Sequence, residues 1–176
     1  YNKESYIAKL KKAVYALLGL DHGNAVIRDC QYVNQEFSGF LVGKVIDSII
    51  IGAICYLVTS LIGTPYALLV SVIIGVTNII PFFGPYIGAI PSAIILLTVS
   101  PMSCLMFVIF IVILQQVDGN IICPKILSGK VGLSSFWVLF STLLFGGLFG
   151  FVGLLIGVPV FVVFYDLIKK AIYWAL

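Results

Sequence analysis

The residues best placed to do chemistry in this chain are polar ones stranded among apolar neighbours. Asn78 opens the stretch Asn-Ile-Ile-Pro-Phe-Phe-Gly-Pro-Tyr-Ile-Gly-Ala-Ile-Pro, which holds Pro81, Gly84, Pro85 and Gly88 and ends at Pro91. Gln115, Gln116, Asp118 and Asn120 form a second polar group, and Gly147, Gly150 and Gly153 lie in a glycine-rich run. No Ser/His/Asp or Cys/His set, paired carboxylates, phosphate-cradling loop or metal cluster can be assembled, so neither an enzyme nor a cofactor is expected. Cys30, Cys55, Cys104 and Cys123 lack metal-ligand or C-x-x-C spacing, and a cysteine in an apolar run acts as a small hydrophobe. His22 stands alone in a polar segment. What these residues can do is hold something without altering it. Proline removes a donor and clashes one turn back, leaving peptide groups without intrahelical partners. In lipid such groups are tolerated only where protein buries them or where they line a cavity. Broken helices near the midplane are where carriers hold ions or substrates.

The surroundings put that argument in a bilayer. The chain has 176 residues, 61% hydrophobic and 10% charged, with a mean hydropathy of +1.19; a soluble domain carries roughly 25% charge. From Ser48 to Val117 there is no Asp, Glu, Lys, Arg or His. That is about 70 residues, against the ~20 that one span needs. An integral membrane protein, all-α, is the class that follows. A net charge of +3, with no basic stripe interleaved with aromatics, excludes a nucleic-acid partner.

The elements that must position the polar residues can be taken in order. Residues 1–38 read as a cytoplasmic helical segment. Tyr6, Ile7, Leu10, Ala13, Val14, Leu17 and Leu18 recur at helical spacing, Gly19 is a stop, and Gly23-Asn24 marks a turn. Lysines on its other face suit a membrane surface, although an ordinary packed helix has the same pattern. Residues 39–176 read as a transmembrane transport domain. A span from Phe40 to Ile62 ends at Gly63-Thr64-Pro65, with Lys44 and Asp47 one turn from its start, near enough to the interface to snorkel or to pair. Pro65 to Ile80 is too short to cross, so the break at Pro81, Gly84 and Pro85 implies a half-helix or a strong kink. A helix from Tyr86 or Pro91 to Thr98 and another from Met102 to Val117 follow, separated by Ser100-Pro101.

Asp118 to Ser135 reads as a polar loop, with Gly119, Gly129 and Gly132 as turn formers. Phe136 to Leu167 is a second apolar block, broken around Gly146 to Gly153. Lys169-Lys170 with Tyr165, Tyr173 and Trp174 makes an interfacial anchor. Whether each broken block crosses or re-enters, its passages stay even in number. The N-terminal lysines, Lys125 and Lys130, and Lys169-Lys170 therefore share one side, cytoplasmic by the positive-inside rule.

Each candidate also has a purely structural role open to it. Asn78 can be an interhelical hydrogen bond holding the bundle. Gln115 to Asn120 can be a solvated cap, and the glycines can serve close helix packing alone.

The spaced residues nevertheless resemble one family. Asn78-x-x-Pro81-x-x-Gly84-Pro85-x-x-Gly88-x-x-Pro91, then Gln116-x-Asp118-Gly119-Asn120-x-x-x-Pro124-Lys125, then the run from Gly146 to Pro159 are similar to the signatures of the AI-2E transporters, named for export of autoinducer-2. Phe40-Leu41-x-Gly43-Lys44 fits as well. The resemblance implies a chain about twice this length, of which this is the C-terminal half. It also implies a bacterial plasma membrane location, a pentameric homo-oligomer, and alternating access with the segments around Pro81 and Gly150 as moving, substrate-facing hairpins.

Three functions remain open. The first is export of a small polar molecule resembling autoinducer-2, with Asn78 and Gln115 or Gln116 bonding its hydroxyls. The second is a Na⁺/H⁺ antiporter in which Asp118, with Asp47 or Asp166, carries the proton; the lack of a carboxylate deep in a span weighs against it. The third is a non-transporting oligomeric scaffold, which would not need three helix breaks.

Overall fold

The computed structural model describes residues 3–127 and 135–175. Every regular element among them is helical: α1 (Lys3–Leu61), α2 (Ala67–Thr77), α3 (Gly84–Val99), α4 (Pro101–Val117), a π-helical turn (Asp118–Ile122), α5 (Cys123–Leu127) and α6 (Ser135–Ala175). The expected turn formers Gly129 and Gly132, and Lys130, lie outside the described residues, as do the side chains of Lys170, Tyr173 and Trp174.

Burial is inverted relative to a soluble protein. Leu57, Leu61, Ile49, Leu148 and Phe149 face outward, while Lys44, Asp47, Asn78, Ser92, Asp118 and Thr142 are buried. An apolar exterior around polar groups is what lipid selects, since a polar group in hydrocarbon without a partner is costly. The stretches 26–61 and 101–126 are each long and apolar enough to cross a membrane; 136–166 is as long and as apolar but reverses at Gly150.

α1 lacks the expected stop at Gly19 and turn at Gly23-Asn24 and runs through them as one helix. A helical glycine costs only about 1 kcal/mol relative to alanine, too little to stop a helix that is continued on both sides. Its C-terminal part packs on α2, with Gly52 against Gly75: a Cβ on Gly52 would lie 3.3 Å from the Gly75 Cα. Thr59 and Ser71 meet at 3.3 Å across the same contact. The core beneath joins Ile51 and Cys55 of α1, Val70 and Ile74 of α2, Leu96 of α3, and Phe107, Ile111 and Leu114 of α4.

α2 and α3 form a helical hairpin. A Cβ on Gly84 would strike the Thr77 carbonyl, and one on Gly88 the Thr77 hydroxyl. α3 starts at Gly84 rather than at Tyr86 or Pro91. Pro85 occupies the first turn, where its missing N–H costs nothing, and α3 continues through an exposed Pro91. The tip is a tight turn in which Phe83 N–H donates to the Pro81 carbonyl at 2.7 Å and Phe82 sits at φ 61°. Ser100 then caps α4, accepting from the Ser103 N–H at 3.3 Å. At 1.5 Å per residue α2 and α3 are about 16 and 24 Å long, short of the ~30 Å hydrocarbon layer.

α6 folds back on itself at Gly150, whose φ 60°, ψ −139° no L-residue adopts comfortably. Its two arms lie antiparallel. Trp137 stacks on Phe161 with ring centroids 5.3 Å apart, a Cβ on Gly157 would lie 2.9 Å from the Ser141 carbonyl, and one on Gly153 would strike the Phe145 carbonyl. Two discontinuous helical hairpins, as expected, are therefore present.

Candidate functional site

The two carboxylates that bracket the uncharged run in sequence meet in space. α1 leads away from Asp47, α2 returns to Asn78, α3 leads away again from Gly84, and α4 returns to Asp118. Two antiparallel excursions thus bring Asp47, Asn78 and Asp118 to one level, beside the tip of the first hairpin. Asp47 is fully buried, at 0% exposure, and Lys44 and Asp118 are each at 6%.

The Lys44 Nζ donates to Asp47 Oδ2 at 2.6 Å, and the Asn78 Nδ2 donates to the same oxygen at 3.2 Å. The Asp118 carboxyl lies beside Asp47 and Asn78, within reach of the Lys44 charge, and Cys123 lies in the same neighbourhood. Asp47 Oδ1 and Asp118 Oδ1 are buried and make no hydrogen bond among the described residues. A buried carboxylate normally has its lone pairs satisfied, so two such oxygens in one cluster mark it as built for something besides packing.

Lys44 and Asp47 do pair, as the sequence allowed, and both are buried in the helical packing. Two other expectations are corrected. Asp47 and Asp118, read as carboxylates that could not be paired, lie together. Asp118 does not open a loop: α4 passes through the π-helical turn into α5, so Asp118 sits within a continuous helical stretch from Pro101 to Leu127. π-turns inside α-helices recur at functional sites.

The other expected residues distribute unevenly. Asn78 is at the centre, and Pro81 and Gly84 are buried at the hairpin tip, with Pro85 and Gly88 beginning α3. Gln115, half-buried, leaves its Nε2 without a partner. Gln116 and Asn120 are exposed and satisfy each other locally, the Asn120 Nδ2 donating to the Gln116 carbonyl at 2.8 Å. Pro91 is exposed on α3, away from the cluster. Gly150 forms the second tip, Gly153 packs against its opposite arm, and Gly147 is exposed with open space beside it.

Lys44 was not among the expected site residues. Its signal in the sequence was its spacing of three from Asp47, directly before the uncharged run.

The second hairpin is tied to α1 at its far end, where the Tyr32 hydroxyl donates to Asp166 Oδ2 in a half-buried contact. Tyr32 precedes Asp47 by 15 residues and Asp166 follows Gly150 by 16. Asp47 and the second tip thus lie about 22 and 24 Å along their helices from this contact.

An all-helical membrane protein with two broken hairpins and a cluster of ionisable side chains buried beside one tip is defined by these observations. Its family is equally defined: residues 6–172 match the AI-2E family transporter model, and the chain belongs to that family. It is 35% identical over 156 residues to the "Putative transport protein YrrI" of Bacillus subtilis, covering 87% of this chain and 43% of that protein. It is 32% identical over 123 residues to the "Putative transport protein YhhT" of Escherichia coli K12, covering 69% of this chain and 35% of that protein. The "Putative permease PerM" of the same strain is 32% identical over 132 residues, 72% of this chain and 36% of that protein. The chain thus spans less than half the length of these relatives. No solved structure matches it.

Proposed function

We propose that this chain is the C-terminal transport unit of a proton-coupled carrier in a bacterial plasma membrane, exchanging a monovalent cation such as Na⁺ for protons. The observation that carries this reading is the buried Lys44–Asp47–Asn78–Asp118 cluster beside the first hairpin tip. Ionisable groups within spans are rare and mark ion pathways and proton relays; a carrier for neutral solutes alone needs none. Both hairpins are too short or too sharply folded to be simple spans. In this reading they close on the pathway alternately from the two membrane faces, with the pathway running past Asn78, Pro81 and Gly84 on one side and Gly150 on the other. The partners are the lipid bilayer, the transported ion, and further copies of the chain in a pentamer, with both termini cytoplasmic.

A second reading, export of a small polar molecule resembling autoinducer-2, is favoured by Gln115 Nε2, Ser48 Oγ and Ser92 Oγ, which are buried without partners and could bond a solute's hydroxyls. The full-length protein in proteoliposomes separates the two. An imposed Na⁺ gradient should change internal pH, and Asp118→Asn should abolish that change. Furanone efflux that is independent of proton and Na⁺ gradients, and retained in Asp118→Asn, supports the second reading and rejects the first.

A further inference from the structure

The contact between α1 and α2 leaves a furrow on its outer side. Small residues make its floor, Ser48 and Gly52 of α1 with Ser71 and Gly75 of α2, and apolar ones such as Ile49, Leu68, Val72 and Val76 make its walls. The floor is low because the helices touch through glycine, the Gly52 and Gly75 backbones leaving little room for a side chain. Those wall residues are exposed, no charged residue lines the furrow, and its volume is about 370 Å³.

Its dimensions decide what fits. Along α1 the lining runs from Val45 to Tyr56, a length of about 16 Å at 1.5 Å per residue. Spread over that length, the volume has a mean width of about 5 Å, whereas a helix with its side chains is about 10–12 Å across. Such a width admits one hydrocarbon chain, its carbons resting about 3.5–4.0 Å from those of the walls. The footprint is under about 100 Å², against the roughly 800 Å² per partner that a stable dimer buries. A second copy of the chain is therefore not the occupant the furrow is shaped for.

One polar atom in the lining lacks a partner. Ser48 is 4% exposed and its Oγ has no hydrogen bond among the described residues, whereas the Ser71 hydroxyl meets Thr59 at 3.3 Å. A buried hydroxyl left unpaired is costly, so the occupant carries an oxygen at the Ser48 end. That end lies toward the charged part of α1, from Arg28 to Asp47, and hence toward lipid headgroups. A hydrocarbon chain that ends there in an ester carbonyl meets both requirements.

We infer that the furrow between α1 and α2 is a binding site for one acyl chain of a membrane phospholipid, whose ester carbonyl accepts from the Ser48 hydroxyl. The furrow ends beside the buried cluster, since Ser48 follows Asp47 and Ile79, also in the lining, follows Asn78. A seated chain thus lies against the cluster's flank. This inference needs only the chain's place in a bilayer, not the exchange reading, and it assigns Ser48 to lipid rather than to a transported solute.

The test is photolabelling of the full-length protein in phosphatidylcholine vesicles that contain a trace of phosphatidylcholine with a diazirine on one acyl chain. Mass spectrometry should find the label concentrated in residues 45–56 and 68–79, several-fold above the exposed face of α4 around Leu105, Ile109 and Val112. Val72→Trp, which fills the furrow from an exposed wall position, should bring the label down to the α4 level. Leu69→Trp, exposed but outside the furrow, should leave it unchanged. Ser48→Ala should reduce it roughly two- to tenfold, the worth of one hydrogen bond. Should Val72→Trp fail to fold, Val76→Trp on the same wall takes its place. Labelling no higher in the furrow than on α4 means general solvation by lipid and overturns the inference, as does label undiminished by Val72→Trp or by Ser48→Ala. Disulfide-linked dimers formed through Val72→Cys in a cysteine-free background would put a second copy in the furrow and overturn it as well.

Discussion

Lys44→Met is the perturbation that most sharply separates a buried ion pair from one at an interface. It removes the cation bonded to Asp47 Oδ2 at 2.6 Å while leaving the Asn78 hydrogen bond to that oxygen in place. Breaking one side of a buried pair leaves an uncompensated charge and costs about 3–5 kcal/mol, whereas an exposed pair contributes roughly 0–1 kcal/mol. Asp47 is fully buried, so the loss belongs in the buried range. Lys44→Met/Asp47→Leu should be milder than the single variant, because apolar side chains then replace both charges. What remains is about 1–3 kcal/mol, chiefly from Asn78 losing its acceptor. Reversible unfolding in mixed micelles or by steric trapping in bicelles measures both. A single variant within about 1 kcal/mol of wild type, or a double variant worse than the single, would refute the placement of this pair in the protein interior.

Other expectations follow from the hairpins and their ties. Gly84→Ala places a Cβ against the Thr77 carbonyl and should disrupt the first hairpin, costing more than about 2 kcal/mol; Gly147→Ala, with open space around it, should be neutral or stabilising by up to about 1 kcal/mol. The same unfolding assay checks both. At Phe82, whose φ is 61°, Val should cost about 1–3 kcal/mol while Asn is tolerated, because β-branching is least compatible with left-handed backbone. Tyr32→Phe should lose about 1.5–3 kcal/mol through the Asp166 bond, and a double-mutant cycle with Asp166→Asn should show coupling of similar size. In intact vesicles a membrane-impermeant maleimide should label exposed Cys30 and spare fully buried Cys55. A cysteine at Lys169 should label from the same side as Cys30, since Tyr32 and Asp166 meet.

Much of the helical layout was legible because proline and glycine act locally. Gly63-Thr64-Pro65 and Ser100-Pro101 each combine a proline with a turn former and end a helix, and the dense glycine run around Gly150 marks where α6 folds back. The cluster was not legible in the same way. Hydropathy locates a charge along the chain and says nothing of what returns beside it, so Asp47 and Asp118, at the two ends of an apolar run, looked like boundary residues. Only the even number of passages between them brings them together. Asp118-Gly119-Asn120 also carries turn chemistry, which hid a π-helical turn that continues the helix. Gly19, Gly23 and Asn24 misled in the same direction: a weak local preference for a stop loses to cooperative propagation along α1.

The account depends on Asp47 and Asp118 being neighbours beneath the first hairpin. Cysteines placed at 47 and 118 in a cysteine-free background, treated in native membranes with a short bifunctional thiol reagent, test this directly. The account predicts efficient intramolecular cross-linking for that pair and none when the first cysteine is moved to position 49, where Ile49 faces outward. Absence of the 47–118 product, or equal yield from the 49–118 control, would contradict it.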